Sequence, residues 1–350
     1  MSNRLKNIQI DQLESLEELS APAARVRHVP HPRPLKAHKP RPIAAPQPEI
    51  LAKLNEQNDD RGSFDFTYRA SRYEAGWLTD SLGGLFEAHW FDDVLRMIKG
   101  GKEASVYLCQ ANPITHYDYL AAKVYRPRQF RNLKNDHLYR EGRENLDANG
   151  HVIFHERESH AIAKKTEFGL ELLHTSWIEH EFLTLEILHK AGADVPVPYT
   201  RGNNAILMGY IGDLDLPAPT LNTVELAHSE ARQLFQRVLH NIELMLANDR
   251  IHGDLSAFNI LYWDGDITLI DFPQAMQPDQ SSNTYRIFER DVTRVCEYFA
   301  GQGVPSNPRK LAADLWTGYQ HRLYPEVDPH FLDDQSEDDR RYWERQSRTR

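Results

Sequence analysis

The stretch IHGDLSAFNILYWDGDITLIDFPQA, residues 251–275, constrains this chain more than any other part of it. Two short apolar runs, Ile260 to Trp263 and Ile267 to Ile270, flank the dipeptide Asp264-Gly265. That dipeptide tolerates the positive φ angles of a two-residue turn, so the runs predict a β-hairpin. Polar groups stand on both sides of it. Asp254 and Asn259 lie five residues apart before the hairpin, and Asp271 follows Asn259 by twelve residues, at the end of an apolar strand. Turn capping would account for His252 and Asp254 taken alone, and a strand end would account for Asp271. The loop, the hairpin and the Asp-Phe pair in this order argue instead for chemistry.

Phosphoryl transfer has matching needs. A carboxylate must orient the attacking hydroxyl or take its proton, and oxygen ligands must hold the Mg²⁺ that bridges the phosphates. Magnesium keeps several waters, so one Asp and one Asn suffice for the protein's share. A D-x-x-x-x-N loop followed by a hairpin and Asp-Phe is the arrangement of protein kinases. Such a loop needs upstream partners. Lys123 sits in the apolar run Leu120-Ala-Ala-Lys-Val-Tyr125, where a cation either reaches solvent at an edge or is aimed at phosphate. Glu181, on an amphipathic helix predicted over residues 176–191, is its expected partner, with Glu179 and Glu186 read as ordinary surface acids. The turn Lys99-Gly-Gly-Lys-Glu-Ala-Ser-Val-Tyr107 lies about twenty residues before Lys123. Its glycines let backbone amides approach phosphate, and Lys102 and Ser105 are its expected phosphate contacts.

The rest of the chain supplies the frame. Between Ala21 and Ile43 there are six Lys or Arg and no acid, among recurrent prolines. Proline removes amide donors, so residues 1–65 are expected to be a disordered basic arm. It reads most simply as a solubilising tail, with a ribosome or RNA contact as the alternative. Residues 66–211 read as a strand-rich unit: a helix over 71–89, strands at 93–98, 104–109, 119–125 and 205–211, and a polar insert at 126–176. Residues 212–325 read as mainly helical, over 225–248 and 288–323, and residues 326–350 as a charged tail. The expected fold is therefore α+β: a bilobal, protein-kinase-like architecture with an antiparallel-sheet N-lobe, one central helix and a mainly helical C-lobe. A ligand cleft is expected between the lobes. The net charge of −10 argues against broad coating of nucleic acid or membrane. Two cysteines exclude a disulfide scaffold. No apolar run approaches the roughly 20 residues of a membrane span, and the first residues lack a secretory h-region, so a cytoplasmic protein with no membrane partner is expected.

In order along the chain, GGKEASVY, AAKVYR, WIEHEF, VPVP, ILMGYIGD, HGDLSAFNILY, LIDFPQA and FERDVTRV resemble the RIO family of atypical serine/threonine kinases. The K-E-[AS]-x-V-Y loop and the D-F-P-Q sequence separate that family from generic kinases, and the likeness covers roughly residues 70–300. The resemblance implies ATP and Mg²⁺, or Mn²⁺, as cofactors. It implies that Lys123 contacts phosphates with Glu181 as its partner, that Met208 backs the adenine pocket, and that the backbone of Gly209 and Ile211 bonds the adenine. Asp254 is then the catalytic acid/base, Asn259 and Asp271 hold the metal, and Asp271 can itself become an aspartyl-phosphate. The insert between Lys123 and Glu181 is long for this family, and the N-terminal arm has no counterpart in it.

Asp291 follows Asp271 by twenty residues with no Ala-Pro-Glu between them. That is where protein kinases build a peptide-binding surface. Its lack turns the expected acceptor toward the protein itself, or toward ATP hydrolysis as a switch, as well as toward a protein Ser or Thr. A small-molecule kinase of the aminoglycoside or choline type shares H-G-D-x-x-x-x-N and Ile-Asp. It is disfavoured by the K-E-A-S-V-Y loop and by the lack of a large acidic insert after the hinge. An ATP-gated ribosome-assembly switch is the other alternative. His155-Glu156 is followed by His160 one residue too late for H-E-x-x-H, which argues against zinc. The four side chains Lys123, Asp254, Asn259 and Asp271 are expected around one cavity.

Overall fold

The computed structural model describes residues 64–101, 103–126, 145–148, 150–202, 204–278 and 282–323. The basic arm up to residue 63, Lys102, residues 127–144 and 149 of the polar insert, and the charged tail lie outside the described residues.

Helix α1 (Arg72–Glu87) opens with a reciprocal capping box between Ser71 and Glu74. It is followed by β1 (Phe91–Gly100), β2 (Ala104–Ala111) and β3 (Tyr119–Tyr125). Two helices come next, α2 (Glu156–Ala163) and α3 (Glu167–Lys190), then β4 (Pro198–Arg201) and β5 (Ala205–Gly209). The five strands form one antiparallel sheet in the order β1-β2-β3-β5-β4. The helical part follows: α4 (His228–Ala247), the hairpin β6 (Ile260–Trp263) and β7 (Asp266–Leu269), then α5 (Ser282–Gly301) and α6 (Pro308–Leu323). This is the expected α+β fold: a sheet with a central helix, then a helical part.

The sheet's two faces do different work, because side chains alternate along each strand. Leu78, Leu82 and Leu85 of α1 cover one face, packing on Tyr107, Cys109, Leu120, Ala122, Val124 and Leu207. The opposite face carries Ala121, Ile206 and Met208, which join Ile178, Phe182 and Leu185 of α3. The same core runs on into the helical part through Val238, Ile260, Phe272 and Val292. Lys123, paired in register with Val106 and Ile206, belongs to this second face.

Several boundaries differ from the sequence reading. Helix α3 begins nine residues before the predicted start at residue 176, because Thr166 caps it by accepting a hydrogen bond from Gly169 N–H at 3.1 Å. The two helices meet at Gly169, where a Cβ would lie 2.1 Å from the Ala161 carbonyl oxygen. Strand β4 was not predicted at all. The single helical span expected over 288–323 is two helices, α5 and α6. Gly303 takes a left-handed φ of +86° between them and Pro308 opens the second. The β6–β7 turn is as the dipeptide demands, with Asp264 at φ +54° and Gly265 at φ +84°. None of the described helices is long and apolar enough to cross a membrane.

Candidate active site

Lys123 projects from the middle of β3, and two carboxylates converge on it. Its Nζ lies 2.5 Å from Glu181 Oε1 and 2.6 Å from Asp271 Oδ1. The second Glu181 oxygen accepts a hydrogen bond from the Tyr125 hydroxyl at 2.5 Å, so both oxygens of this buried carboxylate are satisfied. Burial alone would lower the Lys123 ammonium, but Asp271 and then Glu181 outweigh it and raise its pKa. Burial alone would likewise raise the Asp271 carboxyl, and the Lys123 charge outweighs that and holds it below the usual carboxylate value. The Asp271 side chain is nonetheless 46 % exposed, so its other edge is open. Its backbone takes φ +72°, a left-handed conformation unusual away from glycine and typical of sites held by their surroundings.

The second half of the site is the loop before β6. Asn259 Nδ2 donates to the Asp254 carbonyl at 2.9 Å, which turns its amide oxygen away from the loop backbone. Ile270 N–H donates to the Asn259 carbonyl at 2.9 Å, tying the loop to the segment that leads from β7 to Asp271. His252 makes a second tie: Nε2–H donates to the Ile270 carbonyl at 3.1 Å, and Nδ1 accepts from Asp254 N–H at 3.3 Å. Burial lowers its pKa, and the ring packs on Phe272 with centroids 4.6 Å apart. Gly253 adopts φ +80°, and a Cβ there would lie 2.4 Å from the Gln274 carbonyl oxygen. Only glycine lets the loops of Asp254 and Asp271 meet this closely.

Lys123, Glu181, Asp254, Asn259 and Asp271 are thus brought together. Met208 lies on the same face of the sheet, in register with Ala121. Gly209 N–H donates to the Val197 carbonyl at 2.8 Å, and the Ile211 carbonyl accepts from Ala218 N–H at 3.0 Å. Ser105 is not brought in. It pairs with Val124 and shares the α1-covered face with Tyr107, so its buried side chain points away from Lys123. Lys102 lies outside the described residues. Glu179 is not the surface acid expected: it is 5 % exposed and pairs with Arg201, because α3 turns it into the sheet-side core.

Helix α5 supplies residues to which the sequence reading assigned no role. Arg290 donates to the Gly253 carbonyl and, at 3.2 Å, to Oδ1 of buried Asp291, which sits beside the Leu255 amide. Arg294 Nη1 lies 2.7 Å from Asp254 Oδ1. Burial pushes the Asp291 carboxyl up to about 6 despite Arg290 beside it. FERDVTRV was legible as a motif, but nothing in it announces which residue faces the loop.

The donor set suits a nucleotide and a divalent cation. Among the described residues no cluster of three or more His, Cys, Asp or Glu could hold a metal alone. An Asp271 edge and an Asn259 amide oxygen offer the two hard oxygen ligands that Mg²⁺ needs from a protein when phosphates and water supply the rest.

A family model described as RIO domain matches residues 105–311. The human serine/threonine-protein kinase RIO1 is 32 % identical over 130 residues, which is 37 % of this chain and 23 % of that protein. RIO-type serine/threonine-protein kinase Rio1 of Thermoplasma acidophilum is 30 % identical over 135 residues, 39 % of this chain and 69 % of that one. The Haloferax volcanii Rio1 is 27 % identical over 220 residues, 61 % of this chain and 66 % of its own length. The similarity spans about a quarter of the human RIO1 and of the mouse RIO3 kinase.

Proposed function

The chain belongs to the RIO domain family of serine/threonine kinases, and from that premise we propose that it transfers the γ-phosphoryl group of ATP, with Mg²⁺, to a Ser or Thr hydroxyl. The observation that carries this is the Lys123 ammonium held between Glu181 and Asp271 at 2.5 and 2.6 Å, on the sheet face that looks toward Asp254 and Asn259. A cation so fixed is ready for phosphate oxygens without reorganising.

The residues divide the work by chemistry. Residues up to Ile211 hold the nucleotide, and residues 212–325 carry the catalytic and metal-binding loops. Met208 closes the back of the adenine pocket. Gly209 N–H and Ile211 C=O are already bonded, which directs the adenine edge toward Gly209 C=O and Ile211 N–H. Lys123 holds the α- and β-phosphates, while Asn259 and Asp271 hold the metal ion, whose charge offsets that of the phosphates. Asp254 orients the acceptor hydroxyl. As the new O–P bond forms, the hydroxyl proton passes to the Asp254 carboxylate. The bond from Pγ to the bridging oxygen breaks, and its electron pair leaves with ADP. The open edge of Asp271 also permits it to accept the phosphoryl group, with water completing hydrolysis. Both cysteines are free and buried, which fits the reducing cytoplasmic setting that the composition implies.

The test is purified protein incubated with γ-labelled ATP and Mg²⁺, followed by mapping of acid-stable and acid-labile phosphate. Transfer to Ser or Thr that disappears in Asp254→Ala, with ATP binding retained, supports the reading. Normal turnover by that variant overturns the role of Asp254. Phosphorylation of a small hydroxylated acceptor in preference to protein would move the chain to the small-molecule kinases.

A further inference from the structure

We propose that Arg294 is a positioning residue for this phosphoryl transfer, fixing the Asp254 carboxylate so that Oδ2 meets the acceptor hydroxyl. The inference rests on the catalytic reading of Asp254 just given and adds a residue to it.

Arg290, Asp291 and Arg294 stand at i, i+1 and i+4 on α5 and so share one face of the helix. Arg290 engages the loop backbone just before Asp254, at the Gly253 carbonyl, and also donates to Asp291. Arg294 engages the Asp254 carboxylate itself, at 2.7 Å from Oδ1. Oδ1 is thereby committed. Oδ2 is only 3.5 Å from Asn259 Nδ2, at the limit of a hydrogen bond. The two oxygens are therefore unequal, and the open one is the proton acceptor.

The pair is not needed to hold the fold. Its side chains are 42 % and 41 % exposed, and an exposed ion pair contributes little to stability. The loop between Asp254 and Asn259, Leu255-Ser256-Ala257-Phe258, has no cation of its own. The charge that orients Asp254 is supplied from another element, forty residues further on. A carboxylate on a half-exposed loop would otherwise rotate about its side-chain torsions, and small misplacements of a reacting group cost rate steeply.

The experiment compares wild type, Arg294→Gln and Arg294→Lys in the labelled-ATP assay, with calorimetry of Mg-ATP binding and thermal melting on the same preparations. Arg294→Gln is expected to lower kcat roughly 10- to 100-fold, with ATP affinity changed by less than about twofold. Arg294→Lys should recover part of the loss, since an ammonium still reaches Oδ1. A kcat for Arg294→Gln within twofold of wild type overturns the proposal. So does a loss that appears in ATP affinity, or one that follows a collapse in melting temperature and is not relieved by lysine. If wild type itself transfers no phosphate, the catalytic reading of Asp254 fails and this inference falls with it, an outcome the other three cannot mimic.

Discussion

The sheet side and the helical side of the site are each held by an ion pair, and the two pairs are built in opposite ways. Lys123 and Glu181 are almost wholly buried, with side chains 10 % and 2 % exposed, and Tyr125 satisfies the carboxylate's remaining oxygen. Arg294 and Asp254 are about two-fifths exposed. A buried pair cannot lose one member without stranding the other, so it is bound up with folding as well as with nucleotide binding. An exposed pair can be broken with little structural cost, so its geometry is free to serve chemistry alone. Asp271 stands between them, held by Lys123 on one edge and open on the other.

Substitutions can break that contrast. The largest effect is expected from Asp254→Ala, with transfer reduced roughly 10²- to 10⁴-fold and the melting temperature almost unmoved; a large loss of stability would show that the helical side is structural after all. Glu181→Ala should do the reverse and cost roughly 3–5 kcal/mol in chemical denaturation, because it removes a buried partner of Lys123. Unchanged stability would mean that Asp271 alone suffices for the cation.

A third prediction concerns pH, where two aspartates of the site run in opposite directions. Asp291 holds its proton to about pH 6 in the folded chain against an ordinary value of 3.8. Its contribution to stability is therefore greatest in acid and falls as pH rises from about 4 to about 6, by on the order of 3 kcal/mol. Asp271, held below the ordinary value by Lys123, contributes stability above that value and loses it as pH falls. The stability of Asp291→Asn relative to wild type should accordingly rise across pH 4–6. A difference independent of pH would show that Asp291 ionises normally in the fold. Next in size, Gly253→Ala should destabilise by roughly 1–3 kcal/mol and slow transfer, since φ +80° and the Gln274 carbonyl both oppose a Cβ. Wild-type melting and turnover would contradict the close approach of the two loops. Smallest of all, Arg294→Gln should cost less than about 1 kcal/mol of stability, which a denaturant titration would resolve from the cost of Glu181→Ala.

Much of this was written locally in the chain. The Asp264-Gly265 turn, the capping box at Ser71 and the apolar runs of β2, β3 and β6 depend on neighbours in sequence, and so could be read there. Asp254, Asn259 and Asp271 were legible for the same reason: one short loop and one tight hairpin separate them. What lay further apart was less so. The start of α3 was missed because its first turns expose Phe168 along with Glu167 and Glu171, which blurs the apolar stripe, and their packing partner is another helix, met at Gly169. Glu179 looked like a surface acid because nothing near it in sequence reveals that Arg201 pairs with it from β4.

By itself the sequence determined which residues could do chemistry, since residue type and short-range spacing are local properties: an ammonium in an apolar strand, an acid on an amphipathic helix, and oxygen donors around a hairpin. Only the tertiary structure decided how they face one another. Strand register put Lys123 on the face toward the helical part and turned Ser105 toward α1, because a shift of one residue reverses every side chain in a strand. The packing of α5 against the loop of Asp254 decided that Arg294 meets Asp254 across forty residues of chain, a contact that no local pattern encodes.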